Sequence, residues 1–332
     1  MYKKKYILVT GAAGFIGYHV CKNYLRKGYN VIGIDNLNSY YSVKLKKDRL
    51  RDLNKIKKKL IFLKIDIKNK SSISKIFQKY KIGRVYHLAA QAGVRKSVKF
   101  PNTYIQNNII GTTNLFEVVK NYKKIPIIVA SSSSVYGKQK KKIFKTNLKT
   151  DTPIQMYAVS KKATELISYS YNFQYKIPIV LLRFFTVYGP WGRPDMALFK
   201  FTKKILQNKP IQVYNKGNHF RDFTYIDDVI KKIELSSKMI SRINKNSKFD
   251  NFKILNLGNG NPYSLKKFIN LLEKALKRKA KIKYLPAQQG DMIGTYSDVN
   301  EFNKKLKKIK SYPLFLGIKK FTDWYIEYYG AN

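Results

Sequence analysis

Short apolar runs alternate with longer amphipathic stretches through the first half of the chain. Six of these runs predict strands that are buried on both faces: YILVTG, NVIGID, LIFLKID, VYHLAA, IIVASS and IVLLRFF. The stretches between them have helical spacing, as in IGYHVCKNYLRKG, where Gly28 lies near the expected helix C-cap. Buried strands that alternate with helices predict an α/β fold with a doubly wound, parallel sheet.

The pattern changes after Phe185. A turn-rich loop is expected at TVYGPWGRPDMALF, a helix at ALFKFTKKILQN, and a strand that returns to the sheet at ILNLGNG. We therefore predict that residues 1–185, joined by about 225–258, form a Rossmann-type sheet domain. Residues 186–224 and 259–332 are expected to form a smaller, discontinuous domain over the carboxyl edge of the sheet, where ligands bind in this architecture.

The chain has 332 residues, of which 44% are hydrophobic, so it can bury one large core or two modest ones. Its single cysteine, Cys21, excludes an internal disulfide and fits a reducing compartment. Near the N-terminus the apolar run YILV gives way to glycines, far short of a signal peptide or a membrane span. We therefore expect a soluble, cytoplasmic protein.

Lys and Arg outnumber Asp and Glu by 67 to 19, which gives a formal net charge of +48. Such a charge can indicate nucleic acid or another anionic surface as a partner. Here the lysines are spread over every segment and form neither one basic block nor an RNA-binding signature. We therefore expect no specific nucleic-acid binding, although the charge should attract anionic small molecules.

The stretch VTGAAGFIG has three glycines directly after a predicted strand and at the start of a predicted helix. Gly11 permits a tight turn, Gly14 lets the backbone approach a pyrophosphate, and Gly17 lets the helix and strand pack closely. The helix N-terminus adds N–H donors and the positive end of the helix dipole. Asp35 ends the next strand, where a carboxylate accepts from both ribose hydroxyls and repels a 2′-phosphate. We therefore predict NAD rather than NADP.

Asp66 ends the third predicted strand, in FLKIDI. Two roles are open to this carboxylate. It accepts a hydrogen bond from the adenine amino group, or it caps the next helix, as Asp commonly does.

Tyr157 and Lys161 lie four residues apart in MYAVSKKATE, which places them on one face of a helix. A free phenol has a pKa near ~10 and is a poor base at neutral pH. A lysine ammonium one turn away, together with a bound nicotinamide cation, would stabilise the phenolate and lower that pKa. A Tyr-x-x-x-Lys pair is common by chance, but here the glycine motif stands upstream of it, so we predict a catalytic pair.

Four motifs, TGAAGFIG, HLAAQAGVR, ASSSSVYG and YAVSK, occur in this order along the chain. In this respect the chain resembles the extended short-chain dehydrogenase/reductase family over essentially its whole length. Within that family, IDNLNSYYSVKLKKDRL, RFFTVYGPWGRPDMALFKFT and VYNKGNHFRDFTYIDD closely resemble the UDP-glucuronate 4-epimerases. The resemblance implies reversible 4-epimerisation of UDP-glucuronate to UDP-galacturonate through a transient 4-keto sugar with tightly bound NAD+. It also implies a homodimer that assembles through two helices of each subunit.

The resemblance also implies roles for individual residues. Tyr157 would take the proton of the sugar 4-hydroxyl, Lys161 would tune that phenol and bind the nicotinamide ribose, and Ser132 would hydrogen-bond O4. Asn107 would lie close to the cofactor and help to order the site. The implied cofactor-binding set is Gly11, Gly14, Phe15, Ile16, Gly17, Asp35, Asn36, Asn38, Asp66, Ile67, Leu88, Ala89, Ala90, Asn107, Tyr157, Lys161 and Phe185.

Two serines follow Ser132 in ASSSSVYG, where related 4,6-dehydratases typically have Asp-Glu and the related decarboxylases also have a Glu. Ser133 and Ser134 supply no base for C5, and they can donate to a hexuronate carboxylate that an acidic pair would repel. Thr186 stands where galactose-type 4-epimerases usually have Asn. We predict that these three hydroxyls hold the carboxylate near the plane of the 4-keto group, which suppresses loss of carbon dioxide. The alternative for the serines is capping and turn formation.

A UDP group carries two negative phosphates, so arginines are expected around it. Arg221, in RDFTYIDD, matches the phosphate-binding arginine of the resembled family. Arg193, in WGRPDM, could reach the uridine or the diphosphate. Arg95, in AGVRKS, could contact phosphate or sugar, and exposure at the surface is an equal alternative.

Tyr214, in IQVYN, is expected to stack on uracil, and Asp291, in QQGD, to bind the uridine ribose. Many relatives have Arg-x-Gly-Asp at the latter motif, whereas this chain has Gln288 at the Arg position. One phosphate contact is therefore lost or supplied by another group, such as Arg193.

Several alternatives remain open on the sequence alone. A UDP-galactose-type 4-epimerase is disfavoured by Thr186 and the serine run, and a UDP-glucuronate decarboxylase by the missing Glu. A binding protein that has lost catalysis is disfavoured by the intact Tyr157, Lys161 and Ser132. The three histidines have no metal-ligand spacing, so we expect structural or solvated histidines and no metal.

Overall fold

The computed structural model describes residues 5–122, 124–139, 143–243, 251–287, 294–306 and 308–330. Its strands are β1 (Tyr6–Thr10), β2 (Asn30–Asp35), β3 (Ile61–Lys64), β4 (Ile82–His87), β5 (Ile127–Ser132), β6 (Ile179–Phe184), β7 (Thr186–Tyr188), β8 (Ile211–Tyr214), β9 (Phe220–Tyr225), β10 (Phe252–Leu257), β11 (Pro262–Ser264) and β12 (Ile282–Leu285). Its α-helices are α1 (Phe15–Arg26), α2 (Val43–Asn54), α3 (Lys70–Lys79), α4 (Val94–Lys99), α5 (Pro101–Tyr104), α6 (Gly111–Val119), α7 (Met156–Tyr175), α8 (Ala197–Leu206), α9 (Ile226–Ile243), α10 (Leu265–Leu276), α11 (Asn300–Lys305) and α12 (Leu314–Tyr329).

Within the described residues, seven strands form one parallel sheet in the order β10-β6-β5-β4-β1-β2-β3. All six predicted strands are among them, and the strand predicted at ILNLGNG joins the sheet as β10 beside β6. The sheet is therefore the predicted doubly wound, Rossmann-type α/β structure. The chain reverses its direction of travel across the sheet between β1 and β4, which is where ligands bind in such folds.

The central strands are buried on both faces because their alternate residues belong to two separate cores. On β6, Val180 and Leu182 pack in one core, whereas Ile179 and Leu181 pack in the other. Helices cover both sides, so the strands are continuous apolar runs rather than alternating ones. The helix after β1 ends as predicted, with Lys27 at its C-cap and Gly28 following at φ +78°.

The segment after β6 differs from the prediction in one respect. TVYGPWGRPDMALF is expected to be a loop, but its first residues form the short strand β7, which pairs with β9. A three-residue strand has too little pattern to be recognised when its partner lies far along the chain. β7, β9 and β11 form a second sheet, and β8 pairs with β12 in a third. The proposed domain boundaries stay a prediction.

None of the helices that the structure describes is both long enough and apolar enough to cross a membrane.

Candidate active site

A cavity of about 750 Å³ opens at the carboxyl ends of the central strands. Its walls also include residues of β7, α8 and β9, so the sheet and the later part of the chain meet there. Every predicted site residue that the structure describes lines this cavity, apart from Asp66. Asp291 and Gln288 lie outside the described residues.

The glycine-rich loop fits between β1 and α1 only because it lacks side chains. Gly11 has φ +74°, and a Cβ on it would lie 2.8 Å from the Ala89 backbone nitrogen. A Cβ on Gly17 would lie 2.0 Å from the Gly11 carbonyl oxygen. Gly14 is the N-cap of α1, and no side chain caps the first N–H groups of the helix. Those donors and the positive end of the helix dipole face the cavity, as an anionic group requires.

Asp35 ends β2 beside this loop and lines the cavity. Its Oδ2 accepts from the Ala13 backbone N–H at 3.2 Å, and its Oδ1 accepts from the Leu37 N–H at 2.8 Å. Lys46, which the sequence did not single out, is buried in the same wall and donates to both Asn38 oxygens at 2.9 Å. Burial lowers the pKa of Lys46, and the Asp35 carboxylate opposes that shift.

Asp66 does not line the cavity, but it supports a residue that does. Its Oδ2 accepts from the Asn36 side-chain amide at 3.1 Å, and its Oδ1 accepts from the Lys68 N–H. The helix cap that we allowed for Asp66 is wrong, because Asn69 caps α3 and accepts from the Ser72 N–H. β3 ends at Lys64, so the helix begins later than the sequence suggests.

Tyr157 and Lys161 lie one turn apart at the start of α7, and both line the cavity. Burial raises the pKa of the Tyr157 phenol, while its hydrogen bond with Ser132 and the charge of Arg193 oppose the rise. Burial lowers the pKa of Lys161 to about 8, and the Glu165 carboxylate opposes that shift. Burial therefore outweighs the groups that lower the Tyr157 pKa, and the lowering expected with a bound nicotinamide stays a prediction. The Lys161 ammonium donates to the Ala130 carbonyl at 2.8 Å.

The four serines have different surroundings. Ser131 donates to Glu165 at 2.6 Å, and Glu165 forms a buried, bidentate ion pair with Arg183 at 2.8 Å. Ser132 caps a short 3₁₀ helix by accepting from the Ser134 N–H at 3.2 Å. Ser133 and Ser134 line the cavity beside it. The cap of this short helix is Ser132, whereas the sequence left capping open for Ser133 and Ser134, and carboxylate binding by these two serines stays a prediction.

The opposite wall presents arginines in fixed orientations. Arg193 binds Asp195 through Nε at 2.9 Å and through Nη2 at 2.5 Å, and Tyr40 donates to the same carboxylate at 3.3 Å. Arg95 is exposed, but its guanidinium stacks 4.7 Å from the centre of the Tyr214 ring. Arg95 is therefore exposed at the surface and also lines the cavity, and its contact with phosphate or sugar stays a prediction.

The cavity is strongly cationic. Among the described residues that line it, eight are Lys or Arg and two are Asp. The cations are Lys46, Arg95, Lys96, Lys161, Arg193, Lys200, Lys204 and Arg221. A cleft lined by one sign of charge concentrates ligands of the opposite sign, so this cavity favours a polyanion.

A π-helical segment, Ile105–Ile110, replaces regular α-helix beside Tyr157. Asn107 lines the cavity, but the neighbouring Asn108 is the more deeply engaged: it bonds the backbone of Gln91 and donates to Ser160 on α7 at 2.9 Å. Such π-helical turns occur frequently at functional sites. Nothing in QNNIIGT indicates which asparagine faces inward, because the extra residue in the turn shifts the helical register.

These residues fit a bound NAD. The glycines of the loop leave room that side chains would fill, and the first N–H groups of α1 are not capped by a side chain. Asp35 lies at the end of β2. The glycines and α1 would hold the pyrophosphate, and Asp35 would accept from the adenosine ribose.

Residues 7–258 match the model of the NAD dependent epimerase/dehydratase family. The UDP-glucuronate 4-epimerase of Thermodesulfobacterium geofontis is 42% identical over 96% of this chain and 95% of its own length. The protein CapI of Staphylococcus aureus is 43% identical over 97% of this chain and 99% of its own length. The crystal structure of a Bacillus cereus UDP-glucuronic acid 4-epimerase with UDP-glucuronic acid and NAD has a TM-score of 0.88 and 34% identity, over 98% of this chain and 100% of that one.

Proposed function

The chain belongs to the NAD dependent epimerase/dehydratase family, and from this membership we propose that it interconverts UDP-glucuronate and UDP-galacturonate by reversible 4-epimerisation. The observation that carries the proposal is the row of hydroxyls beside Tyr157. Ser132, Ser133 and Ser134 all line the cavity, and the latter two stand where a dehydratase or a decarboxylase of the family would have a carboxylate, next to the hydroxyl of Ser132.

The protein's own side chains move one proton and position the sugar 4-hydroxyl. Tyr157 accepts the proton of the sugar 4-hydroxyl, and Ser132 holds O4 next to the phenol. Lys161 holds a positive charge one turn from Tyr157. A bound NAD+ would supply the hydride acceptor for C4 and then the hydride donor for the opposite face of the 4-keto sugar. The proton and the hydride both return, so the reaction consumes no cofactor.

The uronate carboxylate is assigned to Ser133, Ser134 and Thr186, which donate hydrogen bonds without adding negative charge. Oxidation at C4 makes the substrate a β-keto acid, which loses carbon dioxide when the breaking bond stands perpendicular to the carbonyl plane. Hydroxyls that hold the carboxylate near that plane suppress the loss.

The UDP group is assigned to the later part of the chain. Arg221 and Arg193 bind the diphosphate, and the Tyr214 ring, already covered on one face by Arg95, stacks on uracil. Asp291 binds the uridine ribose. On this division, residues 1–185 with about 225–258 bind NAD, and residues 186–224 with 259–332 bind the nucleotide sugar.

A homodimer is part of the proposal. Val159, Leu166, Tyr169 and Phe173 are exposed along one face of α7, at the spacing of a helix–helix seam. A second copy of the chain would bury this face. Light scattering should therefore give a dimeric mass for the wild type and a monomeric mass for Leu166→Glu/Phe173→Glu. A wild-type monomer would exclude the dimer.

The cytoplasm, a reducing compartment, is the proposed location.

The direct test is an incubation of the purified protein with UDP-glucuronate, with and without added NAD+, followed by chromatography and mass spectrometry. The proposal predicts a new isomer of equal mass. Release of carbon dioxide would identify a decarboxylase instead. Turnover of UDP-glucose without turnover of the uronate would identify a UDP-glucose 4-epimerase. It would also contradict the assignment of Ser133, Ser134 and Thr186 to a carboxylate pocket.

A further inference from the structure

One arginine outside the cavity contacts both of the loops that shape it. Arg49, on α2, is fully buried. Its Nη1 donates to the Ala13 carbonyl at 2.8 Å and to the Tyr41 hydroxyl at 2.7 Å. Its Nη2 donates to the carbonyls of Trp191 at 2.6 Å and Gly192 at 3.2 Å.

Within the described part of the chain, every acceptor bonded to this guanidinium is neutral. The two carboxylates nearest along α2 are engaged elsewhere: Asp48 pairs with Lys44 and Arg51, and Asp52 pairs with Lys22. Among the described residues this buried cation has no carboxylate partner, so it loses its hydration and recovers only dipolar interactions and a cation–π contact with the Tyr41 ring, 5.4 Å away. An apolar residue of similar volume would fill the same space without that cost, so filling space does not account for an arginine here.

The Trp191 end of the contact is strained. Trp191 has φ +61°, in the left-handed region that bulky residues rarely adopt. Arg49 binds the carbonyl of this residue and the next one, and so holds the turn in that conformation. Arg193 follows directly, and its ion pair with Asp195 stands in the cavity wall. The conformation of the turn therefore decides where the Arg193 guanidinium lies.

The Ala13 end belongs to the cofactor loop. Ala13 lies between Gly11 and Gly14, with its N–H bonded to Asp35 and its carbonyl bonded to Arg49. The peptide groups on both sides of Ala13 are thus fixed, one by each side chain. The peptide that follows Ala13 is held at both ends, because its carbonyl accepts from Arg49 and its Gly14 N–H donates to the Gly11 carbonyl at 2.9 Å, so its rotation would break both bonds at the start of α1.

We propose that Arg49 is a positioning residue that couples the two ligand sites: one guanidinium fixes the cofactor loop and the turn that carries Arg193. Arg49 does not line the cavity, so it acts through Ala13 and through residues 191–192 rather than on a ligand. The assignment of the second site to a UDP group rests on the proposed function. The coupling predicts that damage to this one side chain weakens the binding of both ligands.

Arg49→Lys keeps the charge but cannot make four bonds from one planar group. The matched control is Arg84→Lys, which alters another buried arginine, bonded to Ser237 and absent from the cavity wall. Two quantities are measured on each folded protein: the NAD released per chain on denaturation, and the affinity for UDP by calorimetry with NAD saturating. Neither quantity depends on turnover, so failure of the proposed reaction and failure of the coupling are distinguishable.

Arg49→Lys is expected to weaken UDP binding roughly tenfold or more, equivalent to about 1.4 kcal/mol, and to lower the NAD content clearly below that of the wild type. Arg84→Lys is expected to lose thermal stability while keeping both ligand values. Unchanged UDP affinity in Arg49→Lys would overturn the proposal, whether or not NAD is lost. An equal loss of both ligands in Arg84→Lys would overturn it too, since the effect would then be a general loss of stability.

Discussion

At the residue scale, the two titratable groups at the centre of the site have their pKa values moved by the same cause. Burial disfavours the charged forms, so it raises the pKa of Tyr157 and lowers that of Lys161 to about 8. The resting site therefore holds a neutral phenol beside a lysine that loses its proton just above neutrality. A phenolate is best stabilised while that lysine is still charged.

This arrangement predicts a pH limit. Lys161 is protonated below its pKa of about 8 and neutral above it, so kcat/KM should decline as the pH rises through that value. In Lys161→Arg the guanidinium stays charged, so the decline should disappear from the same range even though the overall rate is lower. Measurement of kcat/KM from pH 6 to 10 (a range of roughly two units on either side) checks this. A decline near pH 8 that persists in Lys161→Arg would show that another group is responsible.

The serine pair makes a separate prediction. Ser133→Ala/Ser134→Ala removes two donors proposed for the uronate carboxylate and leaves Ser132 in place. Loss of one or two such charge-assisted bonds should raise the KM for UDP-glucuronate by at least about tenfold, or let UDP-pentose form as a by-product. The same variant with UDP-glucose as the ligand is the control, since that sugar has no carboxylate. Unchanged kinetics and products with the uronate would remove the carboxylate pocket.

Sequence motifs located most of the residues around the cavity but not those that depend on distant contacts. The glycines, Asp35, Tyr157 and Lys161 stand at fixed offsets within single elements, where the spacing itself implies the geometry. Arg49 binds a carbonyl 142 residues away, and nothing in KLKKDRL indicates that this cation is buried while its neighbours are solvated. Asp195 matters only because Arg193 folds back onto it.

At the element scale, long apolar runs were sufficient to predict the strands of the main sheet, whereas the shortest elements could not be predicted from the sequence. The strands of the main sheet were predicted because each is a buried, continuous run between helices. The short strand β7 and the π-helix beside Tyr157 were missed, because a three-residue strand and one extra residue in a helical turn leave no period to detect. The helix cap at Asn69 was missed because the sequence offered Asp66 as an equally good residue type.

The packing of α1 against the glycine loop gives a prediction with a built-in control. In Gly17→Ala the new methyl would lie 2.0 Å from the Gly11 carbonyl oxygen, so α1 must move away from the loop that holds the pyrophosphate. In Gly28→Ala the methyl meets nothing within 4 Å, and only the left-handed backbone is penalised, by roughly 1 kcal/mol.

We expect Gly17→Ala to be purified with little or no NAD, and Gly28→Ala to retain the wild-type content with a slightly lower melting temperature. Absorbance of the cofactor released from a known amount of protein measures the difference. Equal NAD content in the two variants would mean that the close approach of α1 to the loop is not needed for the cofactor.

At the scale of the whole molecule, the excess of positive charge extends into the ligand cavity. The net charge of +48 is spread along the chain, and the cavity shares it, with eight cations and two carboxylates among its described lining residues. A UDP-hexuronate carries charge on its diphosphate and on its carboxylate, so both ends of the ligand are attracted to this site. Outside the cavity, exposed lysines such as Lys44, Lys279 and Lys319 form ion pairs at the surface that add little stability.

The fold as a whole should be sensitive to mild acid. His87 is buried between β1 and α6, where its ring bonds Thr10 at 2.9 Å and Thr112 at 3.0 Å, and burial lowers its pKa to about 3. The unfolded chain takes up a proton near pH 6.5 and the folded chain does not. The stabilisation is therefore complete above pH 6.5 and is lost as the pH falls from there toward 3.

Urea unfolding at pH 7.5 and pH 5 measures this loss, which for His87 alone amounts to at most about 2 kcal/mol at the lower pH. His87→Gln cannot take up the proton, so its unfolding free energy should depend less on pH, although it starts from a lower value. A full wild-type dependence in His87→Gln would assign the acid sensitivity to other groups, such as His19, whose pKa is lowered in the same direction.

The proposed reaction oxidises and re-reduces C4 of a uronate and leaves C5 unchanged. Incubation with UDP-glucuronate in D₂O, followed by proton NMR and mass spectrometry, tests it most directly. Transfer of the C4 hydrogen within the closed site predicts UDP-galacturonate that carries protium at both C4 and C5. Deuterium at C5 would reveal a base that removes the C5 proton, and a UDP-pentose product would reveal decarboxylation. Either result would contradict the proposed roles of Tyr157 and of the serines that follow Ser132.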